Sequence, residues 1–142
     1  MTMPPRRLRG PMQANAVSED FNVLNQPLEE CGASPVTGFY RDGLCRTDQA
    51  DRGRHTVCAA VSDEFLQYSR ANGNDLITPS RLHKFPGLVE GDRWCLCANR
   101  WLQAHRAGVA PPVYLSATHR STLEVIDLDT LLHYALDKPA HS

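Results

Sequence analysis

Residues 55–73, HTVCAAVSDEFLQYSRANG, decide how the chain is read. His55 to Val61 is a compact β-compatible run, and Ser62 follows it with a side-chain oxygen suited to cap a helix. Asp63 and Glu64 fall where the positive end of that helix favours carboxylates. Phe65, Leu66 and Ser69 share one face at helical spacing, and Gly73 stands where a left-handed residue would end the helix. A strand therefore leads into a helix.

Working outward, the same alternation continues toward the C-terminus. Turn formers Pro79, Pro86-Gly87 and Gly91-Asp92 precede RWCLCA (93–98), a second strand. NRWLQAHRAG (99–108) reads as a helix closed by Gly108, and Pro111-Pro112 introduce a third β-like run, VYLSAT (113–118). THRSTL is expected to form one helical turn, LEVID (123–127) a fourth β-like run, and Asp129 to cap a closing helix, TLLHYAL, before a frayed end DKPAHS. The fold expected is α+β (mixed α/β): a small central sheet of about four strands with about three helices packed on it. Toward the N-terminus, residues 21–53 are punctuated by Pro27, Gly32, Pro35, Gly38, Gly43 and Gly53, and read as a long ordered loop region. Met1 to Glu19 hold three prolines and three arginines without apolar periodicity, so a disordered tail at 1–19 and a single globular domain at 20–138 are expected.

Composition narrows the function classes. The chain has 142 residues with a formal net charge of −1, so no overall field draws it to nucleic acid or anionic lipid. No stretch approaches the roughly 18 apolar residues of a membrane span. The basic N-terminus lacks the apolar segment of a secretory signal. The five cysteines are an odd number, which suits reduced thiols in the cytoplasm better than a disulfide framework. Neither a nucleic-acid nor a membrane partner is expected, and the oligomeric state is left open.

Candidate chemistry concentrates between Asn22 and His119. Cys95 and Cys97, two apart on a strand, point to one side, where both could ligate zinc; core packing explains them equally well. Cys31 and Cys45 lie in loop-like surroundings and are the natural thiol nucleophiles, or a reversible disulfide pair. Cys58, inside a strand, reads as core. His55 at the start of its strand and His119 past the end of VYLSAT are the candidate proton carriers. Asp42, Asp75 and Asp92 sit in sharp turns, where a general base or ligand role competes with plain turn stabilisation. Arg41 and Arg93 are candidate clamps for an anionic small molecule, against a background reading of surface ion pairs with neighbouring aspartates such as Asp42 and Asp51. Trp94 and Trp101 read as core aromatics, either of which could wall a pocket.

The motifs CGASPVTGFYRDGLCRT (31–47), GDRWCLCANRW (91–101) and APPVYLSATH (110–119) resemble an uncharacterised group of small proteins, domain-of-unknown-function family 2237, over about Asn22 to Ala135. The resemblance implies a small stand-alone protein. It implies no activity, substrate or cofactor. Two functions follow from the residues alone: an enzyme or ligand-binding domain with a Cys/His/Asp/Arg-lined loop pocket for an anion, or a non-enzymatic structural zinc-binding or protein-interaction module.

Overall fold

The computed structural model describes residues 20–138; the expected tail at 1–19 lies outside them. In chain order the elements are β1 (His55–Ala60), α1 (Asp63–Ala71), β2 (Arg93–Cys97), α2 (Ala98–Arg106), 3₁₀ turns at Leu115–Ala117 and Arg120–Glu124, and α3 (Leu128–Tyr134). The protein is mixed α and β, with three helices and a two-stranded antiparallel sheet. The helices arise where the sequence places them. Ser62 Oγ accepts the Phe65 amide at 3.1 Å, a cap that contributes about 1 kcal/mol, and α1 buries Phe65, Leu66 and Ser69.

The sheet is smaller than expected, because a side-chain carboxylate in one segment and a local carbonyl in the other capture the backbone donors that further strands would need. In VYLSAT, Val113 makes only isolated bridges, to Ala59 and Ala135. The Tyr114 amide still donates to the Cys58 carbonyl at 2.9 Å, but those of Leu115 and Ser116 donate to the Asp137 carboxylate at 2.6 and 3.0 Å, and the chain curls into a 3₁₀ turn. Asp137 is thus tied down where a frayed end was expected; residues 139–142 lie outside the described part. LEVID likewise gives way: the Val125 and Ile126 amides both donate to the Thr122 carbonyl. Asp127, not Asp129, caps α3 by accepting the Thr130 amide at 2.9 Å.

Alternation along the two strands sorts their side chains onto two faces. Val57, Ala59, Trp94 and Leu96 join the main core with Phe65, Trp101 and the helices. Cys58 and Cys95, directly opposite each other in the ladder, face the other way into a cluster with Cys31, Cys45 and Ala117. There the long loop is bonded to the sheet, by disulfides Cys31–Cys58 and Cys45–Cys95. This overturns the expectation of reduced, reachable thiols at Cys31 and Cys45. Both are buried, and each is bonded to a strand cysteine rather than to the other. The inference of a reducing compartment loses its basis with them, since disulfides persist in oxidising surroundings. Among the described residues, no helix is long and apolar enough to cross a membrane.

Two stability predictions follow from these ties. The disulfides close segments of 27 and 50 residues, so under oxidising conditions the Cys31→Ser/Cys58→Ser variant should lose about 3–4 kcal/mol in urea unfolding; an unchanged midpoint would show that this bridge does not constrain the chain. Hydrogen bonds from the Thr130 hydroxyl and amide hold the Asp127 carboxyl below the ordinary aspartate range. Its contribution is therefore full above about pH 4 and is lost as pH falls through the lowered folded value. Asp127→Asn keeps a capping oxygen but cannot titrate. Relative to this variant, the wild-type melting temperature should fall further between pH 5 and pH 2.

Candidate functional site

Beside the outer edge of β2 lies a cleft of about 590 Å³, within the size range of small-molecule sites. One wall is the N-terminal loop at Gly38, Phe39 and Arg41; the opposite wall runs from Asn74 to Phe85; the floor is β2 itself, from Trp94 to Cys97. Two glycines fix these walls. Gly38 has φ +100°, and a Cβ there would lie 2.3 Å from the Leu44 carbonyl oxygen; Gly87 has φ +82°, and a Cβ would lie 2.2 Å from that of Ile77. Any side chain would force the loops apart. The N-terminal wall is fastened to the floor by the Cys95 amide, which donates to Thr37 Oγ1 at 2.8 Å.

At one end of the cleft a histidine is held in place by a buried carboxylate. Asp51 is 2 % exposed. Its Oδ1 lies 2.6 Å from His55 Nδ1, while Oδ2 accepts the His55 amide at 2.9 Å and the Thr47 hydroxyl at 3.0 Å. With Nδ1–H donating to the carboxylate, the neutral ring carries its free acceptor at Nε2. The ring is confined on both sides. Phe39 stacks on it with 20° between planes, and a Cβ on Gly53 would meet His55 Cε1 at 2.9 Å.

Across the ladder from His55 stands Cys97. It is half-buried, lines the same cleft, and is the one cysteine without a disulfide partner among the described residues. It is also the residue at which β2 ends and α2 begins; the adjacent Ala98 amide is taken by the Arg54 carbonyl at 3.0 Å. A thiol and an imidazole oriented by a buried carboxylate thus line one cleft at paired positions of the ladder, the residue types that nucleophilic catalysis by cysteine uses.

The remaining lining suits an anion with an apolar body. Arg41 lies over the Trp94 ring at 5.1 Å and spends one donor on the Gly38 carbonyl; Arg100 spends one on the Asn72 carbonyl at 2.9 Å. Each guanidinium has five donors, so both keep capacity for a ligand. Phe85 packs against Trp94 with ring centroids 5.2 Å apart, giving the cleft an aromatic side.

Of the residues singled out in the sequence, Arg41, His55, Asp75, Trp94, Cys95 and Cys97 line this cleft, and the others do not. Asp75 is occupied in its own turn. Hydrogen bonds from the Thr78 hydroxyl and amide and from the Ile77 amide hold its carboxyl below the ordinary range, which leaves it a poor base. Cys95 cannot share a metal with Cys97 while its sulfur is bonded to Cys45. Asp42 pairs with Arg46 at 2.7 Å, and Asp92 accepts the Val89 amide in a turn. Arg93 lies over Tyr114 at 4.1 Å. His119 accepts the Ser121 amide at the start of a 3₁₀ turn and sits 3.1 Å from Asp20, where it fastens the N-terminal loop. Sequence reasoning missed Asp51, taken only as a surface partner for arginine. The signal that could have found it is the DRGRH spacing: a carboxylate four residues before a histidine across a glycine turn.

No curated protein matches the chain. A family profile matches residues 21–135, that of an uncharacterized protein conserved in bacteria (DUF2237), and the chain belongs to this family.

Proposed function

We propose that this protein is a small enzyme that binds an anionic small molecule in the cleft and attacks it with the Cys97 thiol. The observation that carries this reading is the placement of the Asp51-oriented His55 ring directly across the ladder from the unpaired Cys97. In the proposed step, Cys97 Sγ forms a bond to an electrophilic carbon of the substrate as its proton passes to His55 Nε2. His55 then returns that proton to the departing group as the bond between that group and the carbon breaks, and a water molecule, deprotonated by His55, displaces the sulfur from the carbon and the proton returns to Cys97. Asp51 keeps the ring in the tautomer and orientation that the transfer needs. Arg41 and Arg100 hold a carboxylate or phosphate group of the substrate, and Trp94 and Phe85 pack against its apolar part. Residues 20–138 act as a single domain in this reading.

Alkylation of Cys97 tests the catalytic part. Iodoacetamide should label Cys97 at neutral pH about tenfold faster in the wild type than in His55→Ala or Asp51→Asn, read as a second-order rate by peptide mass spectrometry. Equal rates in all three proteins would remove His55 and Asp51 from the mechanism.

The anion site is tested by comparing two reagents that differ in charge. Iodoacetate should gain on iodoacetamide at Cys97 relative to the same pair acting on a free small thiol. The advantage should fall in Arg41→Gln and in Arg100→Gln and weaken with added salt. A ratio indifferent to both substitutions would sink the anionic-substrate reading while leaving the thiol chemistry standing.

A further inference from the structure

On the face of β1 and β2 turned away from the main core, Cys31, Cys45 and Cys58 bring their sulfur atoms within 4.8 Å of one another. Cys95 completes the group: it is bonded to Cys45 and stands directly opposite Cys58 in the ladder. We propose that, when the two disulfides are reduced, these four cysteines form a closed tetrahedral site for a zinc-type divalent cation, so that the cluster alternates between two disulfides and one metal–tetrathiolate centre.

Geometry comes first. A tetrahedral centre with metal–sulfur bonds of about 2.3 Å spaces its sulfurs about 3.8 Å apart. The sulfurs of Cys31, Cys45 and Cys58, within 4.8 Å of one another, need only small displacements to reach that spacing, and the Cys95 sulfur, bonded to that of Cys45, draws in beside them. The backbone itself is held by groups other than the cysteines. The Cys31 amide donates to the Gly43 carbonyl at 2.7 Å, that of Cys58 to Thr118 Oγ1 at 3.1 Å, and that of Cys95 to Thr37 Oγ1 at 2.8 Å. These bonds hold the backbone at Cys31, Cys58 and Cys95 independently of the sulfur atoms.

Burial argues for the same cation. All four cysteines are at most 1 % exposed, packed with Ala117 and Tyr114, so thiolates there need a bound cation to offset the loss of water. A site closed by four protein ligands has no open position and serves structure rather than catalysis. The guanidinium of Arg93, stacked on the Tyr114 ring that borders the cluster, supplies fixed positive charge beside a centre of net charge −2. The ligand set also differs from the pairing that the Cys95-Leu96-Cys97 sequence suggests, because Cys97 opens into the cleft instead.

The interconversion balances with a dithiol reductant. Two dithiols deliver four electrons and four protons to the two disulfides and become two cyclic disulfides; the four protein thiols then release four protons to solvent as the cation binds. The step is independent of catalysis at Cys97, so either proposal can fail without the other.

The test uses the full-length protein, reduced by a dithiol without oxygen, stripped of metal and titrated with cobalt(II). One equivalent should bind, with the visible bands of tetrahedral cobalt and the near-ultraviolet charge transfer of thiolate ligation, and zinc should displace it. Cys97→Ser should behave as wild type, whereas Cys31→Ser and Cys95→Ser should lose the four-thiolate spectrum. Should those variants fail to fold, the wild type still decides the matter. Native mass spectrometry should show one metal with four protons lost, and iodoacetamide should label the metal-loaded chain at Cys97 alone. Absence of one-to-one binding, a spectrum abolished by Cys97→Ser, or labelling of the other four cysteines in the presence of metal would each overturn the site.

Discussion

Two strands that pair only with each other make too small a sheet to persist in water unless other elements cover them. Helices α1 and α2 and the main core cover one face of β1 and β2. On the other face lies a long loop, residues 20–54, which holds no helix or strand and needs anchoring against its own chain entropy. The anchors are the bridges Cys31–Cys58 and Cys45–Cys95, which meet the sheet at the two cysteines that face each other across the ladder. A single point of the sheet thus gathers both ends of the loop's central segment.

The cleft inherits its shape from that anchorage. Between Cys31 and Cys45 the chain must leave the sheet and come back, and the excursion carries Thr37, Gly38, Phe39 and Arg41 along the edge of β2. There Thr37 accepts the Cys95 amide and Phe39 lies against the His55 ring. The residues that close the fold and those that line the cleft are therefore neighbours along the chain. The Thr37–Cys95 hydrogen bond ties this excursion to the strand beside the sulfur cluster.

Local chemistry was legible in the sequence and spatial convergence was not. Ser62 and the apolar face of Phe65 and Leu66 announce α1 because capping and helical spacing act within a few residues. The sheet was over-counted because VYLSAT and LEVID carry strand-like side chains, while the outcome turned on which acceptor took the amides. For Leu115 and Ser116 that acceptor is Asp137, more than 20 residues away in sequence. The disulfide partners join loop to strand across 27 and 50 residues, and no spacing rule predicts such pairings. Family resemblance was readable from motifs such as GDRWCLCANRW, yet part of that motif serves the fold: Asp92 makes a turn, Cys95 a bridge and Trp101 a core, while Trp94, Cys97 and Arg100 line the cleft.

The pairing of His55 with Cys97 depends on one irregularity in the ladder. From Ala60 to Val57 the strands run in register against Arg93 to Leu96, and the next partner of Cys97 would by that count be Thr56. Between Val57 and His55 the register slips by one, and His55 takes that place. Thr56 is drawn aside by its own contacts: its amide donates to the Arg54 carbonyl at 2.8 Å, and its hydroxyl meets Thr122 Oγ1 at 2.7 Å inside the core. Such bulges re-aim side chains and occur often beside active sites. Here a threonine that would sit opposite the thiol is exchanged for an imidazole, and the turn that produces the slip also carries Asp51 to the ring's other nitrogen. One extra residue in β1 thereby sets His55, with Asp51 on its Nδ1, at the ladder position opposite Cys97.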